Sequence, residues 1–291
     1  MTLSDRIASG PLLADGAWGT ELQRLGLAAG ELPDHWNLLH PERVGAVAAS
    51  YVDAGSAIIL TCTFRANRVA LAAAGLVGEL AAINRAGVRI SRDAAQGRAL
   101  VFASMGPTGK LPAAGEITPE ETLEAFREQA AALAEGGPDA LLLETMSDLT
   151  EASLALAAAR EMGLPVWVSF AFDSGKNKDR TMTGVTPEQA ARRMTDEGAS
   201  GVGANCGAGI VEAAPICRRM RAVTALPLWM KPNAGLPELK DGQLTYRVSP
   251  EQFASHIPAL VGAGANVVGG CCGSGPDFIR AASRALAELC V

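Results

Sequence analysis

The chain has 291 residues, of which 48% are hydrophobic and 19% charged, and its formal net charge is −6 at pH 7. This acidic balance, without a cluster of Lys and Arg, argues against nucleic acid or an anionic membrane as a partner. No stretch approaches the roughly 18 unbroken apolar residues of a membrane-spanning helix. Residues 1–10 lack the basic and apolar regions of a secretory signal, so we expect a cytoplasmic protein.

Short apolar runs alternate along the chain with Ala-rich segments of helical character. The runs are mostly continuous, as expected for parallel strands that are buried on both faces. Strands are predicted at Leu12–Ala17, Ala57–Phe64, Ala99–Met105, Ala140–Thr145, Val166–Phe172, Gly201–Cys206, Leu228–Lys231 and Val267–Cys271. Helices are predicted between them, among others at Pro41–Ala54, Glu120–Glu135, Thr150–Met162, Pro187–Glu197 and Pro250–Ala263.

Several of these helices carry start and stop signals. Thr118, Thr186 and Ser249 each precede a Pro, which pairs an N-cap hydroxyl with a residue suited to the first helical position. Gly residues close several helices just before the next strand. Eight strands that alternate with about eight helices predict a single (β/α)8 TIM barrel over residues 1–291, with a doubly wound sheet as the alternative.

The chain contains six cysteines and only three histidines. In a reducing compartment these cysteines are free thiols or metal ligands, because stable disulfides belong to oxidising compartments. The shortage of histidine disfavours both a His-based zinc site and a Ser-His-Asp triad.

A faint internal repeat indicates which cysteines matter. Residues 198–207 align with residues 264–273, since each segment runs from a helix end through a strand to Cys-Gly. The alignment puts Cys206 and Cys272 at the carboxyl ends of the sixth and eighth strands, with Cys271 alongside. Chemistry in a barrel of this type lies at those ends. We therefore predict that the three thiols hold a tetrahedral zinc ion with one open position.

Other interpretations of the cysteines stay open at this point. A buried cysteine usually acts as a small hydrophobic residue, and we assign that role to Cys62, Cys217 and Cys290. Cys271 and Cys272 could instead form a vicinal disulfide or redox pair, which leaves Cys206 unexplained. An all-sulfur zinc site suits alkyl transfer onto a bound thiolate better than hydrolysis, because a free thiol has a pKa of about 8.5 and is mostly protonated at pH 7.

The chain resembles the homocysteine S-methyltransferase family nearly end to end. The motifs that carry the resemblance are Asp15–Thr20, Trp36–Asn37, His40–Pro41, Thr61–Phe64, Gly106–Gly109, Glu144–Thr145, Gly203–Gly207, Pro232–Gly235 and Gly269–Gly273. The resemblance implies a (β/α)8 barrel in which Cys206, Cys271 and Cys272 bind zinc. It also implies a reaction in which a methyl group passes to the thiolate of homocysteine and gives methionine.

The resemblance further implies a clamp for the amino-acid part of homocysteine. Asp15 and Glu144 would accept hydrogen bonds from the substrate ammonium, as suits acids at strand ends. The backbone N–H groups of Gly16, Ala17 and Trp18, together with Thr63, would receive the carboxylate. Without the family, Asp15 could be a turn residue and Glu144 the partner of a basic neighbour. Asn205 is predicted to belong to the same site, with a supporting role behind the metal.

The sequence determines the methyl donor less closely than it determines the acceptor. The family includes betaine-dependent enzymes, S-methylmethionine-dependent enzymes and the homocysteine module of cobalamin-dependent methionine synthase. Arg65 stands where animal betaine enzymes carry a cage tyrosine, although Trp18 and Trp36 could offer aromatic faces to an onium group.

We predict a small onium donor such as betaine or S-methylmethionine. One alternative is that the chain is the acceptor half of a split methionine synthase, served by a corrinoid protein in trans. A different small thiol or selenol as acceptor, and a zinc protein without enzymatic activity, are further alternatives.

Overall fold

A ring of parallel strands forms the centre of the molecule. The computed structural model describes residues 3–207, 209–235, 238–240 and 243–289, so Cys290 lies outside the described residues. The strands are β1 (Leu12–Leu13), β2 (Ile58–Leu60), β3 (Leu100–Met105), β4 (Ala140–Met146), β5 (Val166–Phe170), β6 (Gly201–Cys206), β7 (Leu228–Pro232), β8 (Glu238–Lys240), β9 (Gln243–Thr245) and β10 (Val267–Val268).

Within the described part of the chain, eight of these strands pair side by side in the order β1-β10-β7-β6-β5-β4-β3-β2. A parallel bridge between Ala14 and Ile58 joins the two outer strands, and the Ala57 amide donates to the Leu13 carbonyl at 2.7 Å. The sheet therefore closes on itself, which confirms the (β/α)8 barrel and excludes the open doubly wound sheet. That residues 1–291 form one domain stays a prediction.

Helices lie between the strands and cover the outside of the barrel. They are α1 (Leu3–Ala8), α2 (Trp18–Arg24), α3 (Trp36–Leu39), α4 (Pro41–Asp53), α5 (Arg68–Ala73), α6 (Leu80–Ala95), α7 (Pro119–Glu135), α8 (Leu149–Arg160), α9 (Pro187–Asp196), α10 (Ile210–Arg221), α11 (Pro250–Ser255), α12 (Ile257–Gly262) and α13 (Pro276–Leu289). No helix among the described residues is long and apolar enough to cross a membrane.

The predicted start signals act as helix caps. Thr118, Thr186 and Ser249 each accept a hydrogen bond from the backbone N–H three residues on, and the side chain at that position accepts one from the backbone N–H of the capping residue, which completes a capping box. The predicted helix Pro250–Ala263 is wrong in one respect, because it is two helices. α12 starts at Ile257 with a proline in its first turn, and proline cannot donate the hydrogen bond that would continue α11.

Four predicted strands are too long at their carboxyl ends. Leu12–Ala17 ends as a strand at Leu13, Ala57–Phe64 at Leu60, Val166–Phe172 at Phe170 and Val267–Cys271 at Val268. In the first and last of these the chain leaves the sheet before the residues of the candidate site. The antiparallel hairpin of β8 and β9 was not predicted from the sequence.

Large apolar side chains fill the amino-terminal half of the barrel. Phe102 stacks on Trp229 with ring centroids 5.6 Å apart, and Trp167 meets Trp229 edge-on at 6.0 Å. These rings pack with the first residues of several strands, and α1 packs partly against them. Polar residues of the barrel interior are therefore confined to its carboxyl-terminal end.

Candidate metal centre and amino-acid site

Three thiols meet at the carboxyl-terminal end of the barrel. Cys206 is the last residue of β6, while Cys271 and Cys272 follow β10. The three sulfur atoms lie within 4.8 Å of one another, and the Sγ atoms of Cys206 and Cys271 are 2.8 Å apart. The structure thus brings together the three cysteines that the internal repeat singled out.

Backbone hydrogen bonds hold the two cysteine segments against the end of β7. The Cys271 amide donates to the Pro232 carbonyl at 2.8 Å, and the Ala234 amide donates to the Cys272 carbonyl at 3.0 Å. Cys206 has a φ of 55° and Gly207 a φ of 70°, a left-handed conformation that aims the thiol inward. A non-glycine residue with positive φ is strained, and such strain concentrates at functional sites.

The thiol cluster stabilises negative charge on one of its sulfurs. Hydrogen bonds from Cys206 and Cys271 lower the pKa of the Cys272 thiol to about 3. Hydrogen bonds with Cys271 and Cys272, in which Cys206 is the donor, raise the pKa of Cys206 well above its ordinary value. A cluster with one stabilised thiolate among three sulfurs has the electrostatics of a site for a soft cation.

The geometry fits a tetrahedral zinc ion. Zinc–sulfur bonds of about 2.3 Å place neighbouring sulfurs roughly 3.8 Å apart, so Cys206 and Cys271 would separate by about 1 Å on binding. Within the part of the chain that the structure describes, no fourth His, Cys, Asp or Glu joins the group. Three protein ligands with a free fourth position are typical of a catalytic zinc site rather than a structural one.

A cavity of about 210 Å³ lies over the thiols. Its lining combines sulfur, acidic, basic and aromatic side chains. Among the residues that line it are Trp18, Asp34, Thr61, Cys62, Phe64, Arg65, Ser104, Glu144, Cys206, Lys231, Cys271 and Cys272. Cys62 therefore faces the same space as the cluster without belonging to it.

Asp15 is fully buried, and both oxygens of its carboxylate accept hydrogen bonds within the protein. One oxygen accepts hydrogen bonds from the Leu60 amide at 2.7 Å and from the Trp18 indole at 2.8 Å. The other oxygen pairs with the ammonium of Lys231. Burial lowers the pKa of Lys231, but the carboxylates of Asp15 and Glu144 outweigh it, and the net effect is a raised pKa. Lys231 is therefore a charged ammonium inside the site.

Glu144 has a different environment. The Ser104 hydroxyl donates to its carboxyl group, and burial raises its pKa to about 7, against the opposing effect of Lys231. Unlike Asp15, it forms no ion pair with the described residues, so it is the acid of the pair that can still receive a cation.

The predicted carboxylate contacts are only partly available. The Ala17 amide already donates to the Ser274 carbonyl at 2.9 Å, whereas the amides of Gly16 and Trp18 have no acceptor among the described residues. The Thr63 hydroxyl lies 2.5 Å from Thr61 and donates to the Ser104 carbonyl, and Thr61 lines the cavity in its place.

Asn205 lies behind the thiols rather than in the cavity. Its Oδ1 accepts from the Thr145 amide at 2.8 Å and from the Ser169 hydroxyl at 2.7 Å. Its Nδ2 approaches the Cys206 sulfur at 3.8 Å. This position suits a residue that orients a metal ligand through hydrogen bonds.

Lys231 and Asp34 are site residues that the sequence analysis missed. Lys231 was predicted only as the end of a strand, although a charged residue at the carboxyl end of a buried strand is itself a signal in a barrel. Asp34 is 2% exposed, accepts the Arg65 amide at 2.8 Å and lines the cavity. Nothing in its local sequence distinguishes it from a turn residue.

Comparison with known proteins gives a consistent result. The family model described as homocysteine S-methyltransferase matches residues 12–286. Methionine synthases from Mycobacterium leprae and Mycobacterium tuberculosis are each 27% identical, over 98% and 99% of this chain respectively. The chain spans about a quarter of their length, since 25% of each is covered.

Solved structures show the same fold. The homocysteine methyltransferase MmuM from Escherichia coli, in its metallated form, superimposes with a TM-score of 0.80 over 94% of this chain and 96% of that one, at 24% identity. The oxidised form of the same protein has a TM-score of 0.79 over 94% and 95% of the two chains, also at 24% identity.

Proposed function

The chain belongs to the homocysteine S-methyltransferase family, and from this premise we propose that it methylates the sulfur of homocysteine at a zinc ion held by Cys206, Cys271 and Cys272. The observation that carries the proposal is the group of three sulfurs within 4.8 Å of one another, facing a cavity that Glu144 also lines. A methyl group would pass to the sulfur, and methionine would be the product.

The zinc ion, when bound, would supply a fourth position where a thiol is held as a thiolate at neutral pH. The protein's own residues orient the rest of the substrate. Glu144 receives the ammonium, and its ionisation is favoured once that cation arrives, because burial raises its pKa to about 7 and a nearby cation lowers it. The free amides of Gly16 and Trp18 receive the carboxylate. Contacts from Ala17 and Thr63 stay predictions.

The lining of the cavity favours a cationic donor. Trp18 and Phe64 offer aromatic faces, and Asp34 offers a buried carboxylate. Aromatic faces and an acid together attract an onium methyl group. Trp36 does not take part, because it packs against His40 at 4.7 Å and beneath Arg43 at 5.2 Å. We therefore propose betaine, S-methylmethionine or a similar onium compound as donor.

A second candidate rests on the curated relatives. Both are methionine synthases, and each aligns with almost all of this chain. This supports the alternative that the methyl group arrives from a corrinoid protein in trans. A centre of free thiols requires a reducing compartment, so we propose a cytoplasmic location in either case.

A donor panel tests these proposals. Zinc-loaded protein is incubated with homocysteine and, separately, betaine, S-methylmethionine, methyltetrahydrofolate or methylcobalamin, and methionine is measured. Methionine from an onium donor is the expected result. Methionine from methylcobalamin alone would favour the second candidate. Absence of methionine with every donor, in protein with one zinc per chain, would reject the proposed function.

A further inference from the structure

Lys231 presents an ammonium group to the cavity. Its side chain is 3% exposed and pairs with Asp15, which is fully buried. Asp15 is the hydrogen-bond acceptor that the described residues provide for this ammonium. An ammonium has three N–H donors, so two remain for a ligand. Lys231 lines the same cavity as Glu144 and the three thiols.

Asp15 already has a cationic partner inside the protein. Its two oxygens accept from Leu60, Trp18 and Lys231. A substrate ammonium that took the place of Lys231 at Asp15 would leave the lysine buried and unpaired, which is unfavourable. These contacts favour a role of Asp15 toward the lysine rather than toward the substrate.

We propose that Lys231 binds the carboxylate of the amino-acid acceptor, and that Asp15 is a positioning residue that holds Lys231 in place. The proposal rests on the proposed function and identifies the acceptor as a thiol that carries an α-amino acid group. Glu144 receives the substrate ammonium. The clamp then offers the Lys231 ammonium to the substrate carboxylate and the Glu144 carboxylate to the substrate ammonium, which matches a zwitterion in sign.

Two neighbours support this role. The Lys231 ammonium lies 5.7 Å from the centre of the Trp229 ring, whose face stabilises a cation from below. The Trp18 indole that donates to Asp15 belongs to the segment whose backbone amides at Gly16 and Trp18 lack acceptors. A carboxylate between those amides and Lys231 would receive charge-assisted hydrogen bonds.

The test measures thiol binding in the absence of a methyl donor. Calorimetric dissociation constants are determined for homocysteine, for 3-mercaptopropylamine, which lacks the carboxylate, and for 4-mercaptobutyrate, which lacks the ammonium. Zinc-loaded wild type is compared with Lys231→Met. We expect the variant to bind homocysteine and 4-mercaptobutyrate roughly 10- to 150-fold more weakly, as for a lost charge-assisted hydrogen bond, and 3-mercaptopropylamine almost unchanged.

The double variant Asp15→Asn/Lys231→Met is the matched control. It removes both charges, so that no unpaired carboxylate is buried, and it should keep its zinc while showing the same loss of carboxylate recognition. The proposal would be overturned if the variants bound all three thiols more weakly by the same factor. It would also be overturned if the ratio of the dissociation constants for homocysteine and 3-mercaptopropylamine were the same as in wild type. Failure of both variants to fold would assign Lys231 to stability and also overturn it. If wild type binds none of the three thiols, the proposed function itself fails.

Discussion

The two halves of the site are held in shape by different means. Backbone hydrogen bonds from the end of β7 and a left-handed turn at Cys206 position the thiols, and their sulfurs form no ion pair with a described side chain at salt-bridge distance. On the other half, Asp15 and Lys231 satisfy each other within the protein. The difference supports the proposals that a metal completes the thiol half and that the charged half, which is already ordered, binds the substrate.

The largest expected effect comes from removing a thiol. Wild type should carry about one zinc per chain, and Cys206→Ala, Cys271→Ala or Cys272→Ala should lose both zinc and methyl transfer, because two sulfurs cannot retain the ion. Metal analysis by mass spectrometry measures the first and methionine formation the second. Full zinc occupancy in Cys272→Ala would contradict the assignment.

The next effect tests the charged half. Glu144→Gln should raise the KM for homocysteine by roughly 10- to 150-fold, since a charge-assisted hydrogen bond to the ammonium is lost. Zinc content should stay the same, because Glu144 is not among the clustered ligands. The matched control is 4-mercaptobutyrate, which has no ammonium.

For that thiol, wild type and Glu144→Gln should have similar kinetic constants. Equal fractional losses with both thiols would mean that Glu144 acts on the fold or the metal rather than on the substrate. Asp15→Asn should weaken homocysteine binding as well, but through Lys231 and therefore through the carboxylate.

A third prediction compares a paired buried acid with an unpaired one. Asp34 has no lysine partner among the residues that the structure describes, and burial raises its pKa from 3.8 to about 6. The folded state therefore binds this proton more tightly than the unfolded state. The contribution of Asp34 to the free energy of unfolding is therefore fully present below pH 4 and is lost as the pH rises through about 6.

Asp34→Asn should consequently stabilise the protein at pH 8, by up to about 3 kcal/mol at 1.4 kcal/mol per pKa unit, and have little effect near pH 4. The amide oxygen can still accept the Arg65 N–H bond. Urea unfolding at both pH values measures the difference. The same change in stability at the two pH values would show that burial of the charge is not the cause.

The smallest effects are expected at the cysteines outside the cluster. Cys62 and Cys217 are both buried, and substitution by Ala should leave zinc stoichiometric and cost about 1 kcal/mol through lost packing. Zinc analysis and urea unfolding measure the two outcomes. Loss of zinc in Cys62→Ala would add a fourth sulfur to the metal site. The same prediction for Cys290 concerns a residue outside the described part of the chain.

The sequence predicted those features that depend on local pattern. β6 has the predicted bounds, Gly201–Cys206, because its apolar run follows a glycine and ends where the turn begins. The convergence of the thiols followed from the repeat and from the common direction of barrel strands. The helix caps could be predicted because each cap involves side chains within four residues of one another.

Features that depend on distant partners were not predictable in the same way. The role proposed for Lys231 depends on its ion pair with Asp15, which is 216 positions away. Thr63 was expected to face the substrate, but β2 ends at Leu60. Beyond that point the two-residue alternation of a strand no longer determines which side chain faces the cavity. Side-chain direction in such turns depends on packing that no short motif encodes.

The aromatic rings of Phe102, Trp167 and Trp229 give the barrel one closed end. If the proposed function holds, both substrates would therefore enter and leave through the opposite end. The acceptor, whose sulfur would reach the thiols, would enter first, and the donor would follow above it. The spent donor would then leave before the methylated product, so the packing of the strand beginnings favours an ordered kinetic mechanism.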